Sequence, residues 1–157
     1  FNEGATYHCL NKTAKDVKTP LEIVPKGLTS LYDCVCNILI KMSQFYGKIF
    51  MKDTVAVIIT DGTDTTSKMM TATHTALQIA RCKARGWKFI YLGTTPDAVN
   101  LGRALGCNIC ILYSATEKSF LEVSKAINDL IKFAQAPWKD ADFDLRDLEN
   151  SVARMAI

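Results

Sequence analysis

Two short apolar runs limit the fold more than anything else in the sequence: residues 54–60 (Thr-Val-Ala-Val-Ile-Ile-Thr) and residues 87–92 (Trp-Lys-Phe-Ile-Tyr-Leu). Both are rich in β-branched or aromatic residues. Both run straight into turn chemistry, Asp61-Gly62 in one case and Gly93 in the other, which marks buried strands. Residues 107–113 make a third such run. Between them the spacing turns helical: residues 67–85 align Met70, Ala76, Leu77, Ala80 and Ala84, and residues 96–105 begin at Pro96 and are followed by Gly106. An amphipathic helix over 30–46 is predicted by Leu31, Val35, Ile38, Leu39, Met42 and Phe45, and another over 117–135 by Phe120, Val123, Ile127, Leu130 and Ile131. Strands alternating with helices predict an α/β fold: a three-layer, doubly wound, mostly parallel sheet with helices on both faces. Residues 3–10 alternate well enough for an antiparallel edge strand.

A chain of 157 residues, 48% apolar, has enough core for one domain without disulfide stapling. With eight Gly, four Pro and no apolar run of bilayer length, fibrous, disordered and membrane-spanning classes are excluded. The formal charge of +3 is uneven. Residues 1–136 carry a net +5 and read as the domain, whereas residues 137–157 carry a net −2 and read as an acidic arm packed on it through Trp138, Phe143 and Leu148. Neither value argues for nucleic acid, and no basic stripe is interleaved with aromatics. The cluster Arg81, Lys83, Arg85 and Lys88 closes a predicted helix, where cations face the negative end of its dipole. The chain starts at Phe1 with neither initiator Met nor signal-peptide pattern, and is expected to have been cut from something longer.

The cysteines do not form a metal framework in this reading. Cys34 and Cys36 point apart on a helix, and Cys107 and Cys110, on a strand, would fall on opposite faces. A zinc site would need a second paired motif. Together with Cys9 and Cys82 they are expected to be free, buried thiols of an intracellular, cytoplasmic protein. Asn11-Lys12-Thr13 matches a glycosylation acceptor only as a single triplet.

Several chemistries are excluded by what the sequence lacks. It has no GxGxxG after a strand and no GxxxxGK[ST], and its two histidines, His8 and His74, have no GxSxG to serve. The sharpest motif is Thr60-Asp61-Gly62-Thr63-Asp64, which puts a carboxylate at the carboxyl edge of the predicted sheet, where open α/β folds bind ligands. Haloacid-dehalogenase-like phosphotransferases also carry an Asp-Gly-Thr there, with a nucleophilic Asp two residues earlier. That position is Ile59 in this chain, so the nucleophile is missing and no enzyme is expected.

The order of segments resembles the von Willebrand factor A domain, in a microbial and viral branch of that family. Pro25-Lys-Gly27-Leu-Thr29-Ser-Leu31-Tyr-Asp33 is similar to its Gly-Thr loop and following helix, and residues 55–62 to its strand ending in Thr-Asp-Gly. Gly86 to Gly93, Pro96-Asp97-Ala98, Leu105-Gly106 and Tyr113-Ser-Ala-Thr116 follow in the family's order. The resemblance implies a metal ion-dependent adhesion site, with Thr29 and Asp61 as two of its magnesium ligands and an open position for a partner protein's carboxylate. The family's first metal loop, Asp-x-Ser-x-Ser, does not occur here; the resemblance places it, with the first strand, before Phe1. Thr29 with Asp61 supply two of the roughly six oxygens a hard cation wants. A metal-free structural component of a larger, for instance viral, assembly is the second reading. Taken as plain residues, Thr29 or Ser30 would cap the helix after them, Asp64 or Thr66 the helix after the Asp-Gly turn, and Asp33 and Asp97 would complement helix dipoles.

Overall fold

The run Lys88–Gly93 is buried along almost its whole length, with Phe89, Ile90, Tyr91 and Leu92 each at most 2% exposed. Only a central strand covered on both faces buries every residue in this way. It forms β2, flanked by β1 (Val55–Thr60) and β3 (Ile109–Leu112) in a three-stranded parallel sheet of order β1-β2-β3. The register pairs Thr60 with Gly93 and Gly93 with Leu112, so all three strands end level at one carboxyl edge. The computed structural model describes residues 14–16, 29–46, 54–114, 116, 121, 123–125, 127, 128 and 131. The expected edge strand over 3–10, the arm over 137–157 and Cys9 lie outside them.

Three helices lie before and between the strands: α1 (Leu31–Tyr46), α2 (Ala72–Lys83) and α3 (Pro96–Ala104). Their apolar stripes meet one face of the sheet in a single cluster, where Leu31, Val35, Leu39, Ile79, Cys82, Val99 and Leu105 pack with Ile58, Phe89, Tyr91 and Cys110. The alternate strand residues Ile90, Leu92, Ile109 and Ile111 point the other way and are met by Tyr113, Val123 and Ile127, the last two on a helical stretch. The α/β expectation therefore holds at the level of a parallel sheet with helices. Among the described residues, β1 has no strand on its outer side. An apolar cleft of about 240 Å³ opens there, between Val35, Ile38 and Met42 of α1 and the strand. No helix among the described residues is long and apolar enough to cross a membrane.

Two expectations need correction. The helix expected over 67–85 starts only at Ala72, capped by the Thr71 hydroxyl, which accepts from the His74 N–H at 3.3 Å. The amides that would have opened it earlier, those of residues 67–70, donate to carboxylates instead. Cys107 and Cys110 do not fall on opposite faces either. The strand begins at Ile109, so Cys107 belongs to the turn after α3, where Gly106 has a positive φ of 82°. That turn swings Cys107 onto the cluster holding Cys110. The five cysteines within the described residues are free, and four of them are buried.

Candidate functional site

The carboxyl edge is organised by an exchange of carboxylates between α1 and the loop from β1 to α2. A helix begins with N–H groups that have no partner within it. At α1 they are met from the loop: the Tyr32 N–H donates to Asp64 Oδ1 at 3.1 Å and the Asp33 N–H to Ser67 Oγ at 3.0 Å. In return, Asp33 reaches out of the first turn of α1 and gathers the loop. Its Oδ2 accepts from the Lys68 N–H at 2.8 Å and its Oδ1 from the Met70 N–H at 2.6 Å, while the Met69 N–H is shared between them. Burial works against the Asp33 charge, yet these three amides outweigh it and hold its pKa below the ordinary carboxylate value.

Asp64 is fixed from its own side as well, accepting from the Ser67 N–H at 3.2 Å and from the Ser67 hydroxyl. Ser30 and Thr66 join hydroxyl to hydroxyl at 2.9 Å. The residues expected as ligands lie around this brace. Thr29 is held through its backbone: its N–H donates to Thr65 Oγ1 at 2.9 Å, and its carbonyl accepts from the Thr65 N–H at 2.8 Å and the Thr66 N–H at 3.2 Å. Asp61 stands at the end of β1 and is exposed. Its carbonyl accepts from the Thr94 hydroxyl at 2.9 Å, tying the loops after β1 and β2 together. Burial raises the pKa of Tyr113, beyond β3, and the Asp61 charge adds to that rise.

Thr29 and Asp61 thus lie on two loops that are bonded to each other. As a magnesium donor set they fall short. Asp33 and Asp64 would be the natural further ligands, but their oxygens are taken up by amide and hydroxyl donors. Among the described residues no three His, Cys, Asp or Glu side chains come together in a way that could hold a metal ion. Asp64, expected to cap the helix after it, caps α1, more than thirty residues earlier in sequence. The sequence signal for this was the run Thr63-Asp-Thr-Thr-Ser67, which has more side-chain acceptors than a turn needs.

The brace has a mechanical result. Asp33 holds the amide of Met69 while the Met69 side chain stands 79% exposed, more than any other large apolar side chain among the described residues. The loop therefore presents an exposed apolar side chain on a backbone that is held in place, and Asp61, Thr63 and Thr65 of the same loop are exposed as well. Comparison of this chain with protein-family models, with curated proteins and with solved structures finds no match.

Proposed function

We propose that this chain is a protein–protein interaction module, related in plan to the von Willebrand A domain, which binds a partner with the carboxyl-edge loops that carry Asp61 and Met69. One observation carries this reading: a loop whose amides are gathered by the Asp33 carboxylate of α1, while it leaves a large apolar side chain 79% exposed. An apolar side chain on a loop backbone that is already ordered spares part of the ordering cost of binding, and Met is among the residues enriched at interface cores. Polar groups aimed at a common point, which catalysis would require, do not enter this reading. The test is photo-crosslinking of the full chain in cells, with a benzophenone amino acid at position 69 and a control at the exposed position 104. A discrete partner adduct from 69, absent from 104 and lost when Asp61→Ala is added, is the expected result. Matching patterns from both positions would discard the proposal. Met69→Ser should leave the melting temperature within about 2 °C of wild type, because the exposed side chain adds no core packing.

The outer side of β1, which has no strand beside it among the described residues, and the apolar cleft against α1 favour a second reading, a structural component held in a larger assembly. In both readings binding proceeds without magnesium; what supports this is that Thr29 and Asp61 find no further free carboxylate among the described residues. Calorimetric titration of the chain with magnesium should therefore give no saturable heat. A one-to-one isotherm abolished by Asp61→Ala or Thr29→Ala would instead restore the adhesion-site form of the first reading, with Thr29 and Asp61 as its ligands.

A further inference from the structure

Among the described residues, the side of β1 away from β2 is an open apolar margin on both faces of the sheet. On the face of α1, the cleft runs between Ile38 and Met42 of the helix and Ala56 and Ile58 of the strand, and reaches Trp87. Ile38 is 38% exposed at this cleft. On the other face, Val55 and Val57 are only partly buried and Ile59 is exposed. An apolar strand left in this state pairs with whatever segment can reach it.

The path of the chain and the distribution of charge both point to one such segment. After β3 ends at the carboxyl edge, the helical stretch with Val123 and Ile127 returns across the face that holds Val55 and Val57, which brings Ile131 toward the amino edge of the sheet. Basic residues collect at that edge: Arg81 and Lys83 in the last turn of α2, Arg103 in the last turn of α3, and Arg85 and Lys88 on either side of Trp87. Asp33, Asp61, Asp64 and Asp97, at helix starts and strand ends, belong to the opposite edge. Beyond Ile131 the sequence has the complementary sign, with Asp140, Asp142, Asp144, Asp147 and Glu149 against Lys139 and Arg146. It also has a single apolar stripe, Ala141, Leu145, Leu148, Val152 and Met155, recurring at alternate intervals of four and three residues. That spacing predicts an amphipathic helix, with Asp140 as its cap and Asp142 and Asp144 in its first turn.

We propose that residues 141–157 fold back as a helix on the amino edge of their own chain and seat this stripe in the cleft between α1 and β1, so that the open margin of the sheet is covered from within. The dimensions agree. A helix over 141–157 is about 25 Å long and a strand of the length of β1 about 20 Å. Residues 132–140 can span up to about 30 Å, while neighbouring strands are only about 4.8 Å apart. A tether this short holds the segment at roughly millimolar effective concentration, which favours it over the same segment of a second copy. The cleft is also separate from the carboxyl-edge loops of Asp61 and Met69, so the two proposals stand or fall independently.

The test is photo-crosslinking of the purified full chain with a benzophenone amino acid at position 38, the adducts being located by mass spectrometry. The expected adduct joins position 38 to residues 141–157 within a single chain. Leu145→Asp with Leu148→Asp should lower its yield roughly tenfold, because an unpaired carboxylate is not accepted by an apolar cleft. Asp144→Lys with Asp147→Lys should lower it about threefold, the size of exposed charge pairs. Each variant should still unfold in one cooperative transition, which separates release of the segment from loss of the fold. An adduct between two chains would make a second copy the occupant, one to residues 1–28 would give the cleft to the amino-terminal segment, and no adduct would leave it open. Each of these overturns the proposal, as does an adduct whose yield is unchanged in both variants.

Discussion

Replacing Gly102 by Ala should lower stability by roughly 3 kcal/mol and the melting temperature by about 5–10 °C, although Ala is the better helix former. Helix α3 crosses β2 closely enough that a Cβ at this position would stand 2.5 Å from Tyr91 Cγ, 2.6 Å from Cδ1 and 3.0 Å from its Cβ. Tyr91 has nowhere to retreat, being 0% exposed in the middle of the sheet. The gain of about 1 kcal/mol from helix propensity is then outweighed by a clash that either lifts α3 off the sheet or drives the ring out of its rotamer. Thermal unfolding followed by circular dichroism measures the loss. The same substitution in a Tyr91→Phe background should cost as much, because the clashing atoms belong to the ring and not to its hydroxyl. A neutral or stabilising Gly102→Ala would mean that α3 stands further from β2 than described.

Asp33→Ala should cost about 2 kcal/mol at neutral pH, more than a surface carboxylate usually does. It removes one charged acceptor from three amides of the adjoining loop, of which the Met70 N–H is partly buried and least able to find water instead. The pH dependence identifies the cause. The folded-state pKa of Asp33 is lowered, so its contribution is complete above the unfolded-state value of about 4 and is lost as the pH falls through the lower, folded-state value. Wild type and Asp33→Ala should therefore differ most from about pH 5 upward and converge in acid. Urea midpoints from pH 7 to pH 2 measure this, and a gap that stays constant with pH would remove the charge-to-amide bonds as the cause. The same variant should release Met69 from its fixed position and weaken the crosslink expected there.

Much of the fold was legible because it is written in local periodicity. The β-branched runs became β1 and β2, and α1 and α3 fall within one residue of the expected boundaries. The candidate site was less legible. Asp61 was marked by its place after a strand, and it does stand at the carboxyl edge. Thr29 was read as a metal ligand or as a cap for the helix that follows it, and Asp64 as a cap for its own next helix. Sequence spacing ranks such near partners first, whereas the loop from β1 folds back and meets the start of α1 across more than thirty residues. The same limit applied to Cys107, whose face depended on where β3 begins. Strand alternation cannot fix that point when Gly106 and Asn108 separate the helix from the strand.

The sequence by itself determined that this chain alternates parallel strands with helices and ends its first described strand in an Asp-Gly turn, because backbone geometry makes side-chain period a local property. Tertiary structure alone decided that Asp61 stays exposed while the carboxylates of Asp33 and Asp64 are spent on the protein's own amides. It also brought Tyr91 of β2 and the two cysteines around the start of β3 onto one apolar cluster. Those outcomes depend on strand register and on how closely a helix approaches the sheet, distances that are set only when every element packs at once.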